Sequence, residues 1–242
     1  MKTRCHFFAG LLAAVLMCGG TRAETGSGRT VKIVICGDST VANYDTSKTG
    51  LRGWGQVIGD GFKPGVQIVN LARGGRSTKT FIKEKLLVAA VKENANFALI
   101  QFGHNDSHAK DKPEATDAKT DFKEYLRTYV DSFRKAGTEP VLITPMHRRL
   151  FKDGKPTEEL LPYADAIKEI ATEMKVPLID LHAMSGELLA KLGDAGSEDL
   201  FFTNDRTHFA EKGARMMADL ILQGIGSQVP ALRDCLRTAG KP

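Results

Sequence analysis

Four short clusters in this chain carry the residue types that hydroxyl-based acyl transfer requires. They are Gly37-Asp38-Ser39-Thr40, the run Ala72 to Ser77 with Gly75 and Arg76 in it, Gly103-His104-Asn105-Asp106, and Asn204 to Phe209, in which Asp205 and His208 stand three residues apart. A serine hydroxyl attacks a carbonyl only with a base to take its proton, a group to orient that base, and N–H donors aimed at the oxyanion that forms. Ser39, in a tight strand-to-helix turn, supplies the hydroxyl, His208 the base and Asp205 the orienting carboxylate. The amides of Ser39 and Gly75 and the carboxamide of Asn105 supply the oxyanion donors. Taken singly, each residue has a plainer reading. Ser39 caps the next helix, Asp205 caps a helix ahead of a surface histidine, Gly75 answers a backbone need, and Asn105 is a loop amide.

These clusters act together only if the fold brings them to one edge. From about residue 30 the chain alternates short apolar runs with helical patterns. Val31 to Cys36, Val66 to Leu71, Phe97 to Phe102, Pro140 to Thr144 and Val176 to Leu181 read as strands buried on both faces, which belong to a parallel sheet. Helical patterns cover Gly53 to Phe62, Ile82 to Glu93, Phe122 to Ala136, Glu158 to Lys175, Ser185 to Leu192 and Ala210 to Leu222. The alternation predicts a doubly wound, three-layer α/β/α sandwich. In such sheets ligands lie beyond the carboxyl ends of the strands, where all four clusters fall. The polar insertion Asp106 to Lys119 follows a strand end and is expected to rim the same edge.

In order and identity the clusters resemble the four blocks of the SGNH (GDSL-like) hydrolases. Within that superfamily the chain most resembles rhamnogalacturonan acetylesterases and related carbohydrate acetylesterases. The supporting motifs are Gly37-Asp38-Ser39-Thr40, Gly53-Trp54-Gly55, Ala72-x-x-Gly75-Arg76-Ser77, Phe102 to Asp106, Thr144-Pro145 followed by Arg148-Arg149, Pro177 to His182, and Thr207-His208-Phe209, spread over residues 31 to 222. The resemblance implies a five-stranded parallel sheet of order 2-1-3-4-5, flavodoxin-like, and ester hydrolysis through an acyl-enzyme with no metal and no cofactor. It puts the nucleophile on Ser39, the oxyanion residues on Ser39, Gly75 and Asn105, and the acid-base pair on Asp205 and His208. The segment between Phe202 and Thr207 is shorter than in many relatives, so the loop that shapes the substrate groove is trimmed.

His104, Arg76, Arg148 and Trp54 are candidates for substrate contact. Arg76 and Arg148, with Arg149, offer the planar fork that fits a uronate carboxylate, against the alternative of solvated surface charge. Trp54 is either core or a sugar platform, and His104 orders the Asn105 turn. The expected partner is an acetylated polysaccharide or oligosaccharide. A metal-dependent phosphoesterase would need a denser set of His and Asp ligands than these motifs provide. A glycan-binding protein without catalysis would not need every catalytic position kept.

Lys2 and Arg4, the apolar run Phe7 to Cys18 and Thr21-Arg22-Ala23 have the layout of a secretory signal over residues 1–23. The run is too short for a transmembrane helix, which takes about 20 residues. Val15-Leu16-Met17 also lacks the small residues that lipidation at Cys18 would call for. Losing Lys2, Arg4 and Arg22 lowers the formal charge from +5 to +2, which excludes a strongly basic nucleic-acid binder. A flexible leader over 24–29, one hydrolase domain over 30–225 and a loosely held tail over 226–242 complete the expected organisation, in an exported, periplasmic or extracellular protein. Cys36 and Cys235 form no disulfide framework; Cys36 reads as a small core residue, and a bridge between the two stays open at this stage.

Overall fold

The computed structural model describes residues 30–237; the expected signal, the 24–29 leader and residues 238–242 lie outside the described residues. Strand β1 (Val31–Gly37) is followed by helix α1 (Trp54–Val57), a 3-10 turn and β2 (Val66–Asn70), then by α2 (Thr78–Lys83), α3 (Leu86–Lys92) and β3 (Phe97–Gln101). Helix α4 (Asp121–Lys135) leads to β4 (Glu139–Ile143), and a hairpin of β5 (Phe151–Lys152) and β6 (Lys155–Pro156) precedes α5 (Leu161–Met174) and β7 (Leu178–Ile179). Helices α6 (Leu181–Gly196), α7 (Glu211–Gln228) and α8 (Pro230–Arg233) complete the described chain.

The five long-range strands pair in parallel in the order β2-β1-β3-β4-β7, the 2-1-3-4-5 sheet that the motifs imply. Successive side chains of a strand point to opposite faces, and both faces here are apolar. Ile33, Ile35, Leu99, Val141 and Ile143 pack with α7 and α8 on one side. Val34, Cys36, Ala98, Ile100 and Leu142 pack with α4 and α5 on the other. Helix α4 shows why such a helix docks: Phe122, Leu126, Tyr129, Val130 and Phe133 form one buried stripe, with Asp121 and Glu124 in its first turn and Arg134 and Lys135 in its last, which suits the helix dipole. The register aligns Gly37, Gln101, Ile143 and Ile179 across neighbouring strands. The chain segments that follow these residues therefore leave the sheet along one edge.

Several expectations change. The fifth strand keeps only two residues, because Pro177 has no N–H to give a ladder and Asp180 accepts from the Ala183 amide to start α6 at Leu181. Strand β2 is only half-buried, since it forms an edge of the sheet. The helix expected over 82–93 is divided by Lys85, whose φ is 62°, and 53–62 is one α turn plus a 3-10 turn. The β5–β6 hairpin turns on Asp153-Gly154, both at positive φ, the Asp-Gly pairing that such turns favour.

The tail expected after residue 225 is not loose as far as Arg237. Helix α7 continues to Gln228, Leu232 is fully buried, and Phe62 bridges Leu236 while Lys63 N–H donates to the Cys235 carbonyl. Apolar residues in that stretch find a partner in Phe62 that periodicity alone does not reveal. Cys36 and Cys235 are both free thiols, Cys36 lying buried inside β1.

Candidate active site

Strand β1 ends at Gly37, where a Cβ would meet Val41 Cγ2 at 2.6 Å, so the chain turns back on itself closely. The carbonyl of Asp38 accepts from the amides of Val41 and Ala42. Asp38 Oδ1 accepts from the Thr40 amide at 2.9 Å and from its hydroxyl at 2.8 Å, an Asx-type turn that holds Ser39 between two fixed residues. No helix follows until Trp54, so the strand-to-helix turn expected here, with Ser39 as a helix cap, gives way to an irregular segment. Below Ser39 the Thr40 hydroxyl accepts from Gln101 Nε2 at 2.8 Å, and Gln101 Oε1 accepts from the indole N–H of Trp54 at 2.8 Å. Gly53 lets Trp54 close on this turn, since a Cβ there would lie 2.3 Å from the Ala42 carbonyl oxygen.

His208 stands at the end of a short turn from Phe202, tied by Asp205 N–H to the Phe202 carbonyl and Phe202 N–H to the His208 carbonyl. Asp205 Oδ1 accepts from the amides of Thr207 and His208 at 2.7 and 2.9 Å, and Oδ2 accepts from His208 Nδ1 at 2.8 Å. A proton on Nδ1 leaves the Nε2 lone pair facing Ser39 Oγ, 2.8 Å away. Burial alone would raise Asp205, but the two amides and the His208 ring outweigh it and hold the carboxylate below the usual aspartate range. The phenol of Tyr44 donates to the Ser39 carbonyl at 2.7 Å. Burial first, then the nearby Asp38 and Asp205 anions, push Tyr44 up to about 12, so it stays a donor.

The Gly74-Gly75 turn lies beside the serine: a Cβ on Gly74 would sit 3.6 Å from Ser39 Cβ, and Gly75 has φ +77° in open space. Asn105 gives one Nδ2 hydrogen to the Arg76 carbonyl at 3.0 Å, which leaves its second for another acceptor. Beside it, Asp106 is buried and accepts from Thr78 and Thr116. Burial raises its carboxyl to about 7 against those hydrogen bonds, with the Asp38 anion adding to the rise.

The residues expected to touch substrate divide differently. Trp54 is fully buried and serves the Gln101 network, so it is core and no sugar platform. His104 is also buried, its ring between Asp38 and the Met146 carbonyl. Arg76 is used by Glu84 and the Gly74 carbonyl. Arg148 donates through Nη1 to Thr207 Oγ1 at 2.7 Å and through Nη2 to the His104 carbonyl at 3.1 Å, joining the base turn to the Asn105 turn. Arg149 is buried beside Asp194. Thr40, which stood in a motif without a role, and Tyr44 and Gln101, which no motif contained, are support residues; a polar Gln101 closing an otherwise apolar strand was the available signal.

Among the described residues, His147, Glu158 and His182 bring their ligand atoms within 4.8 Å of one another, as a metal site requires. Each Nδ1 lies against a backbone carbonyl, and both Nε2 atoms face Glu158 Oε2, at 3.3 Å from His147 and 3.0 Å from His182. The two rings stack, with centroids 3.8 Å apart and planes 16° from parallel. Lone pairs of stacked rings run side by side in separate planes, so one ion cannot sit in both. The His147 ring cannot readily turn, because it packs against Gly186, where a Cβ would lie 2.7 Å from Cε1. The group fits a Glu158–His182 hydrogen bond capped by His147, which burial and the neighbouring ring push below the ordinary histidine value.

A model of the GDSL-like lipase/acylhydrolase family matches residues 33–221. The chain is 36% identical over 222 residues to the rhamnogalacturonan acetylesterase RhgT of Bacillus subtilis, covering 85% of this chain and 94% of that one. It is 40% identical over 200 residues to the probable rhamnogalacturonan acetylesterase YesY of the same organism, covering 80% and 91%. Among solved structures it is similar to the protein YxiM of Bacillus subtilis, with a TM-score of 0.72 and 27% identity, covering 81% of this chain and 56% of that chain.

Proposed function

Starting from the fact that this chain belongs to the GDSL-like lipase/acylhydrolase family and is a carboxylic ester hydrolase, we propose that it removes acetyl groups from acetylated rhamnogalacturonan through Ser39, His208 and Asp205. The observation that carries the mechanism is the unbroken line from Asp205 Oδ2 through the His208 ring to Ser39 Oγ, each gap 2.8 Å. The Ser39 proton passes to His208 Nε2 as Oγ bonds to the acetyl carbon. The carbonyl oxygen, now anionic, is held by the Ser39 and Gly75 amides and the second Nδ2 hydrogen of Asn105. His208 then protonates the departing sugar oxygen, and the C–O ester bond breaks to leave acetyl-Ser39. In the second half His208 takes a proton from water, whose oxygen attacks the acetyl carbon, and acetate leaves as Ser39 recovers its proton. Asp205 keeps the ring in the required tautomer and stabilises the imidazolium.

The substrate assignment draws on the relatives' rhamnogalacturonan acetylesterase names. The signal-like layout of residues 1–23 supports export to where such a polymer is met, and no helix among the described residues is long and apolar enough to cross a membrane. Ser39→Ala is expected to lower kcat on an aryl acetate by roughly 10⁴-fold or more with the fold intact. Acetate release from acetylated rhamnogalacturonan, pectin and xylan fragments tests the substrate; preference for acetylated xylan would overturn that part alone. Near-normal turnover by pure Ser39→Ala enzyme would overturn the mechanism.

A further inference from the structure

The two residues that precede the proposed nucleophile and the proposed oxyanion amide meet underneath them. Asp38 and His104 are 0% and 2% exposed, and Asp38 Oδ2 faces His104 Nδ1 at 3.4 Å. Thr40 takes up Asp38 Oδ1, and neither Oδ2 nor Nδ1 has any other partner. On the far side of the ring, Nε2 lies 3.1 Å from the Met146 carbonyl. A carbonyl only accepts, so Nε2 carries a hydrogen. Burial would push Asp38 up, yet the facing His104 and the Thr40 contacts outweigh it and keep the carboxylate below the usual range. The carboxylate and the imidazole edge thus face one another across a buried 3.4 Å gap from which other partners are absent.

We infer that the buried Asp38–His104 contact is a positioning device that sets the separation of Ser39 from Asn105, an inference that rests on the catalytic reading above. Asn105 spends its own side chain on the Arg76 carbonyl, in another turn, so it makes no bond that would fix its distance to Ser39. Asp38 and His104 do so one residue earlier in each segment, across the paired ends of β1 and β3, where Gly37 and Gln101 are in register. Neither side chain reaches solvent, so neither touches substrate. Two buried polar groups facing one another add little net stability compared with apolar packing. A fixed spacing is what an oxyanion site needs, because a misplacement of about 1 Å can cost on the order of 10²-fold in rate.

The test compares Asp38→Asn, His104→Gln and the double variant on an aryl acetate. Active sites are titrated with a serine-reactive phosphonate, and melting temperature is measured alongside. Each single change is expected to lower kcat per titrated site about 10- to 100-fold with KM within about 2-fold of wild type. The rate of phosphonate labelling should fall in parallel. The double variant should lose no more than the worse single one, since breaking either partner already releases the spacing. If His104→Gln does not fold, the near-isosteric Asp38→Asn decides alone. Unchanged kcat per titrated site in a folded variant, losses that multiply in the double, or failure of both singles to fold would each reduce the pair to a structural role and overturn the inference. Ser39→Ala run beside them separates the two levels: activity there, or absent phosphonate labelling of wild type, refutes the catalytic reading itself.

Discussion

Around Ser39 a local turn of Asp38, Thr40 and Tyr44 is backed by Gln101 and His104, from a strand end about 60 residues on, and by Trp54, and these three are almost wholly excluded from water. Around His208 the support is local: Asp205 binds the next residues' amides and the ring three positions on, and the two side chains remain 29% and 32% exposed. The difference matches the roles proposed for the two groups. A nucleophile must hold still against an oxyanion site built from other strands, so its place is set by tertiary contacts. A base must change charge in each half-reaction, which costs least where water can relax around it and one nearby anion compensates.

The base turn gives the sharpest way to break this comparison. His208→Ala should cost on the order of 10⁴-fold or more in kcat, Asp205→Ala less, and the double variant about as much as His208→Ala. Steady-state rates on an aryl acetate check this, and losses that multiply would mean that the two residues are not one local unit. Next in size, Asn105→Ala should lower kcat by about 10²- to 10³-fold with KM nearly unchanged. A melting temperature that falls while kcat per titrated site holds would make Asn105 a loop amide only. On the tertiary side, Trp54→Phe keeps the ring but strands Gln101 Oε1, and should lose about 1–3 kcal/mol in urea unfolding with a much smaller change in kcat than any of these. A neutral result would mean that the buried network does not depend on its indole.

The pH effects fall on stability rather than on rate, and they have opposite signs on the two sides. Asp106 is raised to about 7 by burial, above its ordinary 3.8, so its contribution to stability is whole below about pH 3.8 and lost as pH rises through 7. Asp205 is lowered, so its contribution is present above 3.8 and lost as pH falls through its depressed value. Melting curves of Asp106→Asn should flatten near neutrality and those of Asp205→Asn in acid; the same flattening in both would remove the contrast.

What could be read in the sequence follows the same division. The apolar run Ile33 to Cys36 and the periodic stripe of α4 are local patterns, and they indicated the layers; the strand order came only from the family resemblance that the motifs carry. Asp205 and His208 stand three apart, so their meeting was legible too. Core was one of the two readings open for Trp54, and the burial of His104 was not legible, because a single imidazole has the same sequence context whether it faces solvent or Asp38. For Arg148 the sequence left a fork for a uronate and solvated surface charge both open, whereas two of its hydrogens go to Thr207 and the His104 carbonyl, partners 59 and 44 residues away that no spacing indicates.

At the concentrations reached when a protein is overproduced, an open parallel sheet offers unpaired backbone along both outer strands to any neighbouring molecule. The two-residue β7 nearly closes one of those invitations. Pro177 immediately before it has no hydrogen to lend, and the chain turns into α6 immediately after Asp180. Edge-to-edge aggregation would therefore have to recruit β2, so a charge introduced at the exposed Gln67 is the economical place to improve solubility without touching the catalytic rim.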